Sequence, residues 1–259
     1  MARKRRPLKS AIISGGAGGL GRALSSELIA KGWHVVALDI DISALTPNKN
    51  LTAIQVDITD CTALERAMQE AITMRSSIDL VIYNAGVSYI SAFVDSTDQA
   101  HRHLFEINYF AAVEMARLSL PALRKSKGIH LAISSAAGFS PLYQRTAYAA
   151  SKHALEGFFK SLRSEEVDFG VDVVIAAPSF VGTNLGRAEP DQNGMQRPGS
   201  ASDGVDYMTP EAAASAILRG LEMGNPFIPV GRVARLAWWI NAFSPRLFQR
   251  LMERNIKAK

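Results

Sequence analysis

The chain has 259 residues, of which 47% are hydrophobic and 20% charged, enough to bury the core of one large α/β domain. A single cysteine, Cys61, excludes an internal disulfide framework and favours a reducing, cytoplasmic compartment. No apolar run approaches the roughly 18 residues of a membrane span, and no apolar segment follows the basic start. We therefore expect neither a transmembrane helix nor a signal peptide.

The net charge of +5 arises largely at the two ends of the chain, where basic residues cluster at 3–9 and again at 232–259. Basic ends could contact nucleic acid or anionic lipid, but solvated tails are the simpler interpretation. Because no nucleic-acid-binding motif accompanies either cluster, we expect no nucleic-acid partner.

The first motif is the glycine-rich segment SGGAGGLG at residues 14–21, which follows an apolar run at 11–13. Leu20, Leu24 and Leu28 then recur at helical spacing. A glycine-rich turn between a strand and a helix lets the backbone approach a ligand and directs amide groups at a pyrophosphate. The glycines fit both G-x-G-x-x-G and G-x-x-x-G-x-G. A flexible turn is the alternative, but the position near the start of the chain favours a dinucleotide site.

Apolar runs typical of strands alternate with helical periodicity along the rest of the chain. The predicted strands are 34–38, 52–56, 79–83, 129–134, 171–176 and 226–230, and the predicted helices are 61–74, 99–124, 147–168 and 210–223. Short apolar strands separated by helices indicate a parallel sheet covered on both faces. We therefore predict an α/β fold with a three-layer, doubly wound parallel sheet, a Rossmann fold, in a single domain at residues 8–231.

Polar residues close several of the predicted strands. Asp39 ends the second strand 18 residues after Gly21, where dinucleotide-binding folds place an acid on the adenosine ribose. A surface aspartate in a turn is the alternative. Bound to a ribose, this carboxylate would repel the additional phosphate of NADP, so Asp39 predicts NAD as the cofactor. Asp57 closes the third strand and Asn84-Ala85-Gly86 the fourth, so both should border the same crevice.

Tyr148 and Lys152 lie four residues apart on a predicted helix and therefore share one face. A neighbouring ammonium favours the phenolate, which eases proton exchange near neutral pH. Ser135 follows the fifth strand and could bond a substrate oxygen held beside the phenol. The Tyr-x-x-x-Lys spacing is common by chance, so its context decides its meaning.

In that context, SGGAGGLG, Asp57, Asn84-Ala85-Gly86, Asn108, Ser135 and Tyr148-Ala-Ala-Ser-Lys152 resemble the single-domain branch of the short-chain dehydrogenase/reductase family, from about residue 8 to residue 230. The resemblance implies hydride transfer between a nicotinamide cofactor and a secondary alcohol or ketone. It assigns Tyr148 as the acid/base, and Lys152 as the group that lowers the pKa of Tyr148 and holds the nicotinamide ribose. Ser135 would polarise the substrate oxygen, and Asn108 would support a water leading protons to Lys152.

The resemblance also implies the cofactor site and the assembly. The expected cofactor-binding residues are Ser14, Gly15, Gly19, Leu20, Gly21, Asp39, Asp57, Ile58, Asn84, Ala85, Gly86, Tyr148, Lys152, Pro178, Val181 and Thr183. A homodimer or homotetramer would form through helices 99–124 and 147–168. Two positions depart from the family pattern: Ser14 replaces the usual threonine, and Ser179 replaces a glycine, which calls into question the backbone geometry near Thr183.

Two segments lie outside these motifs. The stretch 184–206 is rich in Gly, Pro, Asp and Ser, and we expect a mobile lid that closes over substrate. The basic, amphipathic extension 232–259 combines aromatic residues with arginines. It could lie on an anionic membrane, although packing over the substrate pocket or against another subunit is favoured.

Two other functions remain open. The chain could be a dinucleotide-binding regulatory or scaffold protein without turnover, against which the intact proton relay argues. It could also be a membrane-surface reductase of lipid-like ketones, suggested only by the extension. His101 and His103 diverge on a helix without a partner cluster, so no metal site is expected.

Overall fold

The computed structural model describes residues 9–183, 195–196 and 206–257. The strands in this part of the chain are β1 (Ser10–Ser14), β2 (His34–Asp39), β3 (Leu51–Gln55), β4 (Leu80–Tyr83), β5 (Ile129–Ile133), β6 (Asp172–Pro178) and β7 (Phe227–Val230). The α-helices are α1 (Gly19–Ala30), α2 (Cys61–Thr73), α3 (Asp98–Phe105), α4 (Ala111–Ser126), α5 (Thr146–Glu166), α6 (Pro210–Glu222), α7 (Arg232–Phe243) and α8 (Pro245–Lys257).

The strands pair in the order β3-β2-β1-β4-β5-β6-β7, and every pair is parallel. The chain moves outward in one direction from β1 to β3, then crosses over to β4 and moves outward in the other. This reversal leaves a crevice beyond the carboxyl ends of β1 and β4, where Ser14 is paired with Leu38 on one side and Tyr83 on the other. Open α/β sheets bind their ligands at such a point. The doubly wound Rossmann fold is confirmed.

The core forms two layers, one on each face of the sheet. Consecutive residues of β1 point to opposite faces, so Ile13 joins the layer under α1 and α6, and Ile12 joins the layer under α2, α4 and α5. Both side chains are fully buried. Because both faces are covered, the central strands are mostly apolar rather than alternating, although β5 contains the buried His130.

The sequence predicts one continuous helix at 99–124, and this prediction is wrong because the helix is interrupted. The chain forms α3, then a π-helical segment at Glu106–Phe110, and then α4. The wider turn contains the buried Asn108, whose side chain bonds to the backbone of Val87. Side-chain periodicity cannot show this, because the local widening depends on a contact with a residue 21 positions away.

The C-terminal residues form two helices, of which α7 packs against the sheet. Trp238 stacks on Phe227 of β7 with ring centroids 5.9 Å apart, and Asn241 donates to the carbonyl oxygen of Phe139 at 2.6 Å. In the described part of the chain, no helix is long and apolar enough to cross a membrane. The predicted lid at 184–206 lies outside the described residues except for 195, 196 and 206.

Candidate active site

The turn between β1 and α1 is a narrow loop that requires glycine. Gly15 lies in the left-handed region with φ of +65°, and a Cβ at Gly21 would overlap the carbonyl oxygen of Gly15. α1 begins at Gly19, and the described residues give its N-cap, Gly18, no side-chain cap. The first-turn N–H groups and the positive end of α1 are therefore suited to a pyrophosphate.

The residues beside this turn hold its shape. Asn84 donates through Nδ2 to the carbonyl oxygens of Ser14 at 3.1 Å and Gly15 at 2.9 Å. The Ser14 hydroxyl accepts from the backbone N–H groups of Asn84 and Ala85, each at 3.2 Å. Serine thus supplies the hydroxyl for which the family uses threonine. The side chain of Leu20 packs in the core, so only its backbone can serve a cofactor.

Asp39 lies at the end of β2 and faces the glycine-rich turn. Its Oδ2 accepts from the backbone N–H of Ala17 at 2.8 Å, which fixes the carboxylate beside the loop. Ile40, the next residue, is 63% exposed although it is large and apolar. Sequence reasoning missed Ile40. An apolar side chain exposed next to an acid at a strand end suits an adenine ring, which has flat apolar faces beside its ribose.

Asp57 and Ile58 lie at the corresponding end of β3. The Oδ1 of Asp57 accepts from the backbone N–H of Thr59 at 2.9 Å and from its hydroxyl at 2.7 Å. The carboxylate therefore shapes the turn into α2. Its expected contact with the adenine edge stays a prediction.

The other side of the crevice is formed by the segment that follows β6 at Pro178. Val181 is buried and bridges to Met208, and a Cβ at Gly19 would approach the Cβ of Thr183 to 2.9 Å. Thr183 therefore lies directly against the glycine-rich turn. Ser179, which replaces the family glycine, is not among the described residues with positive φ, and its N–H donates to the carbonyl oxygen of Val230 at 3.2 Å. Serine thus fits this backbone without strain.

Ser135 and Tyr148 meet at the carboxyl end of β5. Ser135 caps a short 3₁₀ turn, Ala136–Gly138, by accepting from the N–H of Ala137 at 3.2 Å. Tyr148, in the first turn of α5, is buried and hydrogen-bonded to Ser135. Burial raises the pKa of Tyr148, while the bond to Ser135 and the positive charge of Arg145 oppose that rise.

Lys152 is buried one turn further along α5. Its Nζ donates to the carbonyl oxygen of Ile133 at 3.0 Å, and burial lowers its pKa to about 8. The ammonium lies 5.9 Å from the centroid of the Tyr148 ring. The expectation that Lys152 lowers the pKa of Tyr148 stays a prediction.

Asn108 connects this cluster to the chain after β4. Its Oδ1 accepts from the N–H of Val87 at 2.8 Å, and its Nδ2 donates to the hydroxyl of Ser151 at 3.0 Å. A Cβ at Gly86 would lie 3.0 Å from Oδ1 of Asn108 and 3.5 Å from Nζ of Lys152. The structure therefore brings Gly86, Asn108 and Lys152 together.

Sequence reasoning missed two further charged groups at this site. Arg145 is the N-cap residue of α5 and is only 9% exposed. Glu156 is 1% exposed and bonds to the hydroxyl of Ser134, the residue before Ser135. In the sequence, Arg145 is marked only by its position three residues before Tyr148, and Glu156 only by its position four residues after Lys152. These positions do not indicate that either side chain is buried.

An apolar cavity of about 350 Å³ adjoins the start of α5. The segment 141–146 forms one wall, and Gln249, Met252 and Glu253 of α8 form the other. In the described residues, no group of three or more His, Cys, Asp and Glu could hold a metal ion.

A doubly wound sheet with a glycine-rich turn at its switch point, and a Ser–Tyr–Lys cluster at the same edge, defines a dinucleotide-binding oxidoreductase. Comparison of the sequence with known protein families supports this class. The short chain dehydrogenase family matches residues 9–194, so the chain belongs to that family.

Individual relatives and structures are similar over most of their length. The chain is 31% identical to dehydrogenase/reductase SDR family member 7B of Bos taurus, covering 93% of this chain and 79% of the relative. It is 29% identical to the Xenopus laevis protein of the same name, covering 96% and 82%.

Two solved structures share the fold. A short chain dehydrogenase from Burkholderia cenocepacia, in complex with NADP, superposes with a TM-score of 0.83 at 23% identity, over 95% of this chain and 98% of that one. A short chain dehydrogenase/reductase from Burkholderia phymatum, in complex with NAD, has a TM-score of 0.74 at 19% identity, over 86% and 88%.

Proposed function

We propose that this oxidoreductase transfers a hydride between NAD(H) and a secondary alcohol or ketone, with Tyr148 exchanging the proton. The main support is the hydrogen-bonded pair of Ser135 and Tyr148 beside the buried Lys152, at the sheet edge that also carries the glycine-rich turn. A dinucleotide-binding scaffold without turnover would not need this pair. NAD(H), when bound, supplies the hydride acceptor or donor.

The chain's own residues handle the proton and the substrate oxygen. In alcohol oxidation, Ser135 donates to or accepts from the substrate oxygen while deprotonated Tyr148 takes the hydroxyl proton; in ketone reduction, Tyr148 returns it. Burial raises the pKa of Tyr148 and so favours the protonated phenol, the form that ketone reduction requires. Protonated Lys152 favours the phenolate form of Tyr148. Because burial lowers the pKa of Lys152 to about 8, the fraction of Lys152 that carries this positive charge changes near neutral pH.

Tyr148→Phe tests the proton-transfer role directly. We expect turnover with secondary alcohols and ketones to fall by roughly 10²- to 10⁴-fold, because general acid–base catalysis contributes about that much. NADH binding, followed by the fluorescence of its reduced nicotinamide, should stay unchanged. Tyr109→Phe removes a hydroxyl from an aromatic cluster on the π-helical segment and serves as the matched control. Near-normal turnover in the Tyr148 variant would refute the assignment.

We further propose NAD as the preferred cofactor, on the support of Asp39. Its carboxylate is fixed at the glycine-rich turn, where the additional phosphate of NADP would meet it. Two unit charges about 4 Å apart interact by roughly 4 kcal/mol at an effective dielectric constant near 20, which solvent screening reduces. The residues 16–18 of the turn carry no compensating positive charge.

Asp39→Ala should reduce the ratio of kcat/KM for NAD to that for NADP by tenfold or more. The matched control is Asp41→Ala, which removes an acid two residues further along the chain. Initial rates at equal cofactor concentrations give the ratio for both variants and for the unmodified enzyme. If the unmodified enzyme has a higher kcat/KM with NADP than with NAD, the proposed cofactor preference is wrong. This conclusion does not depend on the result for Tyr148→Phe.

A further inference from the structure

The outer side of α7 is apolar although it is exposed. Leu236, Trp239 and Phe243 recur every three or four residues, and 63%, 53% and 79% of their surfaces are accessible. The opposite side, with Ala234 and Ala237, is buried against the rest of the protein. Trp239 and Phe243 stack with their rings only 8° from parallel, so they present a rigid aromatic surface. Such a stripe is costly to leave in water.

The following helix also exposes apolar and basic side chains. Leu247 and Leu251 are exposed on one side of α8, one turn apart. Arg246 and Arg250 precede them and are exposed as well. The cavity beside α5 is lined on α8 by Gln249, Met252 and Glu253, and not by Leu247, Leu251 or the two arginines.

The charge of this region contrasts with that of the remaining chain. Residues 232–259 contain seven basic residues and one acidic residue, whereas residues 1–231 contain 22 basic and 23 acidic residues. The one acid, Glu253, is bonded to Gln249. Nearly all of the net positive charge thus belongs to this aromatic C-terminal region, which would orient it toward an anionic surface.

We propose that a basic–aromatic surface, formed by Leu236, Trp239, Phe243, Arg246, Leu247 and Arg250, binds the face of an anionic phospholipid bilayer. Helices that lie in a membrane interface combine aromatic and leucine side chains, which enter the acyl boundary, with arginines that reach lipid phosphates. The long arginine stems allow the guanidinium groups to stay in the headgroup layer while the neighbouring leucines are buried. The proposal does not depend on the proposed reaction.

Charge also argues against a second copy of this chain as the occupant. A two-fold symmetric contact through this surface would bring Arg246 and Arg250 of both copies together, with few acids in either segment to pair them. A bilayer containing phosphatidylserine supplies the missing negative charge over the whole area. A nucleic acid would also supply it, but would leave the exposed leucines in contact with water.

The test is co-sedimentation of the full chain with phosphatidylcholine vesicles, with or without about one-third phosphatidylserine. We expect binding to the anionic vesicles only, and weaker binding in high salt because screening shortens the reach of the arginine charges. Trp239 should move into an apolar environment, so tryptophan emission should shift to the blue on binding. This shift should be absent in Trp239→Phe, which retains Trp33 and Trp238.

Two double variants separate charge from apolar contact. Arg246→Gln/Arg250→Gln should weaken partitioning by about 10- to 30-fold, the value expected for two basic groups at an anionic surface. Trp239→Ala/Phe243→Ala should weaken it at least as much. The charge-matched control is Arg66→Gln/Lys125→Gln, which removes two exposed basic groups of α2 and α4, and the control for an exposed apolar residue is Met223→Ala. Both should partition within about twofold of the unmodified chain.

Thermal melting establishes that each variant is folded. The proposal is wrong if the chain binds neutral and anionic vesicles equally, or binds neither. It is also wrong if Arg66→Gln/Lys125→Gln loses as much affinity as Arg246→Gln/Arg250→Gln. If sedimentation velocity shows that Trp239→Ala/Phe243→Ala dissociates an oligomer, the surface is a subunit interface instead. Stronger binding to a nucleic acid of random sequence than to the vesicles would likewise overturn it.

Discussion

Glu156 shows how a single buried charge can connect the parts of the candidate site. Its Oε1 accepts from the Ser134 hydroxyl at 2.8 Å and its Oε2 from Nζ of Lys160 at 2.7 Å. It therefore joins α5, which carries Tyr148 and Lys152, to the strand end that carries Ser135. Its negative charge also opposes the burial that lowers the pKa of Lys152. A buried carboxylate is costly unless it is paired in this way.

Glu156→Gln should narrow the pH range of activity at its alkaline side. Without the carboxylate, the pKa of Lys152 should fall further below its present value of about 8, so Lys152 loses its proton at lower pH. We expect the alkaline limb of kcat/KM to move down by about one pH unit, with smaller losses at pH below that limb. Glu165→Gln, an exposed change on the same helix, is the control. A loss of thermal stability with an unmoved pH profile would show a purely structural role.

Among the elements, the turn from β1 to α1 has the strictest steric requirements. Gly16 packs against Ala37, where a Cβ would come within 2.6 Å of the alanine methyl group. Gly21 lies against Gly15 and Gly16, whereas at Gly18 the nearest atom to an added Cβ is 3.4 Å away. The glycines of this short motif therefore differ in how much steric overlap an added side chain would cause.

Gly21→Ala and Gly18→Ala form a matched pair that tests this difference. The first should weaken NAD binding by at least tenfold and destabilise the fold by about 1–3 kcal/mol, because the loop must move to admit the methyl group. The second should change both quantities little, since its φ of −66° suits alanine. Cofactor titration and urea unfolding measure the two effects. Equal losses in both variants would contradict the steric argument.

At the scale of the whole molecule, α7 packs more closely against the rest of the fold than α8 does. It stacks Trp238 on Phe227 of the edge strand β7. It also holds Phe139, in the segment between Ser135 and Tyr148, through Asn241. By contrast, α8 contacts the segment 141–146 around a cavity.

Two truncations should therefore behave differently. A chain ending at Gly231 should melt at least about 5 °C below the full chain and lose activity, because the edge strand and the Ser135 segment lose their cover. A chain ending at Ser244 keeps α7 and should melt closer to the full chain. Differential scanning calorimetry of the three proteins gives the comparison. Equal melting temperatures for the two truncations would show that α7 adds no stability.

The local pattern of the chain was sufficient to predict the architecture. The strands at 34–38 and 79–83 and the helix at 61–74 lie within one or two residues of the observed elements. The polar residues that close the strands, such as Asp39 and Asn84, meet at one edge because parallel strands must end together. Apolar periodicity and chain order are properties of neighbouring residues, so they can be read before the chain is folded.

Tertiary structure alone decided the electrostatics of the site and the form of α3 and α4. The burial of Tyr148 and Lys152, which moves both pKa values, depends on elements far apart in sequence. The same is true of the π-helical segment around Asn108, which forms against Val87, and of the buried charges of Arg145 and Glu156. Desolvation is set by everything that surrounds a group in space, and a one-dimensional pattern records only what precedes and follows it.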